Sequence, residues 1–175
     1  PGVRIELSAE MRSTGEVMGL APSFGLAFLK AQLAVGQDIP HEGGVLLSIC
    51  EADKPRLPAP AKALAARGYK LYATRGTCRL LREAGLECEL VNKMAGPRPN
   101  LLDCISDGKI QMAVNTIAGQ GSARDGQFIR AETLKRRIPI FTTMSALEAM
   151  IEGLAERDLG RPPQVAALQD FYSVL

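Results

Sequence analysis

Residues of the types that bind phosphate occur where a strand-like run of this sequence turns into a helical one. In "ATRGT", residues 73–77, a β-leaning run reaches Thr74, and the chain then passes through Gly76 and Thr77 into a helical spacing. Gly76 would let the backbone approach an anion closely, Thr77 would cap the helix with its hydroxyl, and the helix N-terminus would add partial positive charge. This pattern predicts a phosphate-binding turn.

Polar residues also follow the other strand-like runs. This recurrence matters because a single Thr-x-Gly-Thr sequence is weak evidence, since a threonine at a helix start is usually only an N-cap. The strand-end residues are Ser48, Asp53, Lys54, Thr74, Thr77, Asn92, Lys93, Asn115, Thr116, Thr142 and Thr143. In an open α/β sheet the strand ends face one crevice, where ligands bind. The pattern therefore favours a ligand site, in which Lys54 and Lys93 would neutralise a phosphate.

The elements that must position these residues alternate between strand and helix patterns. The predicted strands lie near Val45–Cys50, Lys70–Thr74, Glu89–Val91, Met112–Asn115 and Ile140–Thr142. The helices between and after them are marked by Ala61–Ala66, Thr77–Ala84, Leu101–Ser106, Phe128–Arg137 and Ala146–Leu154, and a further helix, Ser23–Val35, precedes the first strand. Gly68, Gly85 and Gly108 stand where helices should end. The rhythm predicts a three-layer α/β fold, a roughly five-stranded parallel sheet with helices on both faces.

Length and composition describe one globular domain with a sizeable core. The chain has 175 residues, 46% of them hydrophobic and 23% charged, and a formal net charge of +2. No long basic block is present, so nucleic acid is not expected as a partner. We also find no signal peptide and no apolar run long enough to cross a bilayer, which predicts a cytoplasmic protein without a membrane partner.

The cysteines and the histidine exclude several kinds of chemistry. Cys50, Cys78, Cys88 and Cys104 form no Cys-x-x-Cys pair and lie in apolar or amphipathic stretches, which predicts reduced residues in or near the core. His41 is the only histidine, in a loop-like stretch. Most Ser-His, Cys-His and His-metal sites are thereby excluded, and neither a zinc site nor a disulfide framework is expected.

Several of these segments, in this order, resemble one known family. "EMRSTGEVMG", "PSFGLAFLKAQLA", "LLSICEADK", "ATRGT", "LVNKMAGPRPNLLD", "VNTIAG" and "FIRAETLKRRIPIFTT" resemble the C-terminal part of the carbamoyl-phosphate synthase large subunit. "MRSTGEVMG" resembles the closing segment of its second ATP-grasp half, and the rest resembles a methylglyoxal synthase-like regulatory domain. The resemblance implies three parts: residues 1–42 as the end of an ATP-grasp domain and a connecting helix, 43–156 as an effector-binding domain, and 157–175 as a C-terminal tail.

The resemblance also implies an activity for a longer parent protein. In this family the parent is a glutamine-hydrolysing ligase that makes carbamoyl phosphate from bicarbonate, glutamine-derived ammonia and ATP, for pyrimidine and arginine synthesis. It uses ATP with Mg or Mn, and a glutaminase small subunit is its partner. The terminal domain binds nucleoside monophosphates such as uridylate and inosinate. This chain would then be an allosteric, non-catalytic fragment without a cofactor of its own, working with the catalytic half of the same large subunit.

The family's effector pocket falls on residues already selected from the strand ends. They are Ser48, Lys54, Thr74, Thr77, Lys93 and Asn115, and the strand-end pattern adds Gly76 and Thr116 to the predicted effector site. Asp125 joins them from the glycine-rich segment 118–126, which is either a plain loop or a lid over the ligand. Two departures from the family occur: Ile117 stands where a hydroxyl residue often follows, and Phe141 stands where members that respond to ornithine can carry an acid. Thr142 remains as a possible contact for an amino-acid effector.

Two other functions can be weighed against the regulatory one. A methylglyoxal synthase-type lyase acting on a triose phosphate needs a carboxylate base beside the phosphate. The corresponding region here, "AGPRPN", offers Arg98 where the catalytic Asp of those synthases should be, and His41 lies elsewhere. An oligomerisation module would leave the polar strand ends unexplained. We therefore expect an effector-binding domain that prefers uridylate and binds ornithine weakly or not at all.

Overall fold

The computed structural model describes residues 17–93, 96–118, 123–160 and 167. Residues 1–16 of the expected ATP-grasp segment, part of the glycine-rich segment and most of the tail lie outside the described residues. Within the part that is described, no helix is long and apolar enough to cross a membrane.

Five parallel strands form one sheet, which confirms the predicted fold class. The strands are β1 (Gly44–Ser48), β2 (Lys70–Ala73), β3 (Glu89–Leu90), β4 (Met112–Asn115) and β5 (Ile140–Phe141). Their spatial order is β3-β2-β1-β4-β5, so β1 and β4 are neighbours although two strands separate them in the chain. Four of the five strands end one or two residues earlier than the apolar runs suggest, and after β1 and β2 the predicted strand residues Cys50 and Thr74 are helix N-caps instead.

Helices cover both faces of the sheet. They are α1 (Phe24–Ala34), α2 (Pro58–Ala66), α3 (Arg75–Glu83), α4 (Leu101–Ser106), α5 (Ala123–Lys135) and α6 (Met144–Asp158), with a 3₁₀ helix (Glu51–Arg56) before α2. Alternate strand residues explain the layers: Val45 and Leu47 face the core under α1, α2, α3 and α6, whereas Leu46 faces the core under α4 and α5. Each face therefore buries an apolar layer.

Local sequence signals account for most helix ends. Pro58 occupies the first position of α2, where its missing N–H costs nothing, and Thr143 caps α6 by accepting a hydrogen bond from the backbone N–H of Ala146 at 3.1 Å. The glycines predicted to stop helices, Gly68, Gly85 and Gly108, all have positive φ angles, of 87°, 77° and 67°. The 3₁₀ helix is absent from the sequence prediction.

Candidate functional site

A cavity of about 700 Å³ opens at the carboxyl ends of the strands. It lies where β1 and β4 run side by side, and the terminal residues of these strands, Ser48 and Asn115, are partners in the sheet register. The helices that follow β1 and β4 lie on opposite faces of the sheet, which leaves a crevice between them. A cavity of this size matches sites that hold ligands of metabolite size.

The structure brings all nine residues predicted to bind an effector to this one cavity. They are Ser48, Lys54, Thr74, Gly76, Thr77, Lys93, Asn115, Thr116 and Asp125. Thr142, the possible amino-acid contact, is not among the lining residues. The nine residues therefore share one cavity, whereas their role in binding an effector stays a prediction.

Thr77 has a different part in the turn from the one its sequence position suggested. Helix α3 begins at Arg75, so Thr74 is the N-cap residue, without a side-chain capping bond, and the prediction that Thr77 caps the helix is wrong. Thr77 lies inside the first turn, 1% exposed, and its hydroxyl accepts a hydrogen bond from the Ile49 N–H at 3.4 Å. The sequence misled here because Gly76 is a poor helix former, which suggested that the helix starts after it. Thr77 therefore ties the end of β1 to α3.

Lys54 reaches over the first turn of α3 from the 3₁₀ helix. A Cβ atom built on Gly76 would lie only 2.7 Å from the Lys54 Nζ atom, so the missing side chain at Gly76 makes room for the ammonium group. The Lys54 side chain is 15% exposed, and its ammonium group pairs with the carboxylate of Glu51. The result is a cation held against a helix N-terminus, as the phosphate prediction requires.

Lys93 contributes a second cation from the far side of the cavity. Its Nζ atom lies 3.0 Å from the Oδ2 atom of Asp125, in the first turn of α5, and both side chains are largely accessible. This ion pair joins the segment after β3 to the start of α5. Residues 119–122 lie outside the described part, so the choice between loop and lid stays open.

A buried arginine beneath the cavity orients Asn115. The Arg130 Nε–H donates to the Asn115 side-chain oxygen at 3.2 Å, and Nη2 of the same guanidinium donates to the Asn115 backbone oxygen at 3.2 Å. Because a guanidinium only donates, it fixes the amide oxygen toward itself and leaves the Asn115 NH₂ group near Ser48 O, at 3.5 Å. Sequence reasoning missed Arg130, because it is one of several charged residues in α5 and no local pattern marks it as buried.

Thr116 stabilises the backbone on the β1 side of the cavity. The Cys50 N–H donates to its hydroxyl at 3.0 Å. The Cys50 thiol in turn donates to the Asp53 carboxylate at 3.2 Å, and Asp53 is not among the residues that line the cavity. The loop after β1 is thus held at two points, through Thr77 and Thr116.

Sequence reasoning also missed two charged lining residues, Glu51 and Arg75.

The remaining residues considered for chemistry lie outside the cavity or in the core. Arg98 is exposed and pairs with Asp103, and this hydrogen-bonded guanidinium holds the pKa of the Asp103 carboxyl down to about 2. Phe141 is buried, with its ring centroid 6.1 Å from that of Phe28. His41 is exposed in a loop. No group of three or more His, Cys, Asp or Glu side chains within the described ranges could hold a metal ion.

All four cysteines carry free thiols, and three of them are buried as predicted. Burial raises the pKa of the Cys88 thiol to about 12, with a further contribution from its hydrogen bond with Cys78. The Cys88 thiol is therefore protonated and unreactive at neutral pH. Cys50 alone is partly accessible.

Comparison with known proteins identifies relatives over nearly all of the chain. Residues 56–142 match the family model described as an MGS-like domain. The C-terminal section of the carbamoyl phosphate synthase large chain from Methanopyrus kandleri is 43% identical over 155 residues, which cover 88% of this chain and 29% of that protein. The large chain from Pasteurella multocida is 43% identical over 179 aligned residues, covering 100% of this chain and 16% of that protein. This chain thus spans less than a third of the length of either relative.

A solved structure, described as the crystal structure of ForH, aligns over 77% of the chain at 18% identity with a TM-score of 0.45. That likeness is too distant to inform function.

Proposed function

Because this chain belongs to the MGS-like domain family and matches the C-terminal section of carbamoyl phosphate synthase large chains, we propose that it binds a nucleoside monophosphate that regulates such an enzyme. The observation that carries the proposal is that one cavity is lined by all nine residues predicted to bind an effector. The whole protein would be a cytoplasmic, ATP- and Mg- or Mn-dependent ligase that makes carbamoyl phosphate for pyrimidine and arginine synthesis. Its partners would be the catalytic half of the large chain and a glutaminase subunit.

The lining of the cavity suits a nucleotide better than a bare phosphate. One end offers the Lys54 ammonium over the first turn of α3, where a phosphate would accept hydrogen bonds and face positive charge. The lining also includes the apolar side chains of Val91, Leu101 and Ile129, against which a base or ribose can pack. Inorganic phosphate alone would need none of that apolar surface.

Regulation would follow from differential binding. A nucleotide that binds better to one arrangement of this domain against the catalytic half shifts the balance between the two arrangements, with a coupling of about 1–3 kcal/mol. Helix α1 is the first described helix after residues 1–16 in the sequence, so we propose that the coupling passes through it.

The direct test is a calorimetric and thermal-shift titration of this chain. We expect uridylate and inosinate each to bind at one site, inorganic phosphate to bind more weakly, and ornithine not to bind. A ligand at 100 times its dissociation constant should raise the free energy of unfolding by about 2.7 kcal/mol. Absence of any phosphate-dependent signal would refute the proposal. Methylglyoxal formed from dihydroxyacetone phosphate, and lost in Lys54→Ala, would support the lyase instead.

Gly76→Ala should separate binding from stability. The added Cβ would meet only the flexible end of Lys54, at 2.7 Å, and not backbone, while alanine is favoured over glycine inside a helix by about 1 kcal/mol. We expect an unchanged or higher melting temperature together with weaker uridylate binding, because the ammonium group is displaced. Ala84→Gly at the end of α3 serves as the matched control, since it changes the same helix away from the cavity. Undiminished uridylate affinity in Gly76→Ala would place the phosphate elsewhere.

A further inference from the structure

Each of the two lysines that would neutralise a phosphate has a carboxylate partner at the cavity. Lys54 pairs with Glu51, three residues earlier in the 3₁₀ helix, and Lys93 pairs with Asp125 across the cavity at 3.0 Å. Both acids are themselves lining residues. The charged side chains known to line the cavity are therefore three cations, Lys54, Arg75 and Lys93, and two acids.

We propose that Glu51 and Asp125 are internal counterions that a phosphate must displace, so that they set the affinity of the cavity for its effector. The proposal rests on the proposed function, and it replaces the expected effector-binding role of Asp125 with a competing one that Glu51 shares. A carboxylate that stayed beside a bound phosphate would repel it. The phosphate therefore takes the place of the carboxylate beside the lysine, and binding is an exchange of one anion for another.

The exposure of the two acids suits such an exchange. The side chain of Glu51 is 88% exposed whereas that of Lys54 is 15% exposed, so the glutamate can turn into solvent while the lysine stays over Gly76. The Asp125 side chain is 40% exposed and lies in the first turn of α5, where the helix N-terminus stabilises a carboxylate without help from Lys93. Release of each acid therefore has a low cost.

The counterions also explain how the lysines are kept in position without ligand. Two unpaired ammonium groups and Arg75 around one cavity would repel one another and favour extended, solvated side chains. Pairing reduces that repulsion at the expense of affinity. The same contacts thus permit a rival role, in which Glu51 and Asp125 keep the two lysine side chains in the conformation that binds phosphate. In that role, removing either acid would weaken binding. The two roles predict opposite changes in affinity.

The experiment compares Glu51→Gln and Asp125→Asn with the parent chain, by calorimetry at low salt, using inorganic phosphate, uridylate and uridine. We expect both variants to bind phosphate and uridylate about threefold to tenfold more tightly, since each removes an ion pair and a repulsion. Affinity for uridine, which has no phosphate, should not change. Glu83→Gln is the matched control, because Glu83 pairs with Arg79 on α3 outside the cavity.

The outcomes separate this inference from the proposed function. If the parent chain binds phosphate and uridylate but Glu51→Gln and Asp125→Asn bind them equally well or less tightly, the acids are not competitors and the inference is overturned. An altered uridine affinity in Asp125→Asn would show that Asp125 contacts the nucleoside directly, which overturns the counterion role for that residue. If the parent chain binds neither phosphate nor uridylate, the proposed function itself fails. Melting curves establish that each variant is folded.

Discussion

Replacing Lys54 by alanine is expected to weaken uridylate binding to this chain by about tenfold to a hundredfold and to leave its melting temperature nearly unchanged. A hydrogen bond to a charged group contributes about 1.5–3 kcal/mol, and the partly buried Lys54 ammonium is held over the first turn of α3. The melting temperature should be insensitive to this change, because among the described residues Lys54 forms an ion pair only with the exposed Glu51. Calorimetry and a thermal melt measure the two quantities.

Two further variants test whether the effect of Lys54→Ala is specific to the cavity. Lys93→Ala should have a smaller effect, about twofold to fivefold, because its side chain is 63% exposed and solvent screens its charge. Lys109→Ala is the control, since Lys109 pairs with Asp107 outside the cavity and should leave binding unchanged. Equal losses in all three variants would indicate a general effect of net charge. Normal uridylate affinity in both Lys54→Ala and Lys93→Ala would mean that the cavity does not hold the phosphate.

The sequence was sufficient for the fold because its signals are local and agree with one another. Alternating residues such as Leu46 and Leu47 supply apolar side chains for both faces of β1, which is the pattern of a strand buried between two layers of helices. Glycines at the helix ends then divide the chain into units of strand and helix. Once such units form a parallel sheet, the strand ends must converge, so the group of lining residues follows from topology.

The details of the site could not be predicted, because they depend on contacts between distant parts of the chain. The ion pair between Lys93 and Asp125 and the bond from Arg130 to Asn115 join residues that no local pattern relates. The 3₁₀ helix that carries Lys54 contains Pro55 and spans only six residues, so it lacks a periodicity that can be recognised. Sequence reasoning therefore found which side chains meet but not which of them are already paired.

Helix α1 and helix α6 touch through two glycines, and this contact should be the least tolerant of substitution among the helix pairs. A Cβ atom on Gly153 would lie 2.4 Å from the backbone oxygen of Gly25 and 2.6 Å from Leu29 Cγ. A Cβ atom on Gly25 would lie 2.4 Å from the backbone nitrogen of Gly153. Because the clashes involve backbone, no side-chain rotation relieves them, and the two helices must separate.

We therefore expect Gly153→Ala to lower the free energy of unfolding by about 2–4 kcal/mol, although alanine is normally the better helix former by about 1 kcal/mol. Urea unfolding followed by circular dichroism measures this change. Glu152→Ala is the matched control, because it alters the neighbouring exposed position of α6 while keeping the Cβ atom that faces Gly25. A Gly153→Ala chain as stable as the parent, or more stable, would show that α1 does not pack on α6 in this way. Uridylate affinity of the folded variant should be retained, since neither glycine lines the cavity, and that retention would distinguish the loss of a helix contact from general damage to the domain.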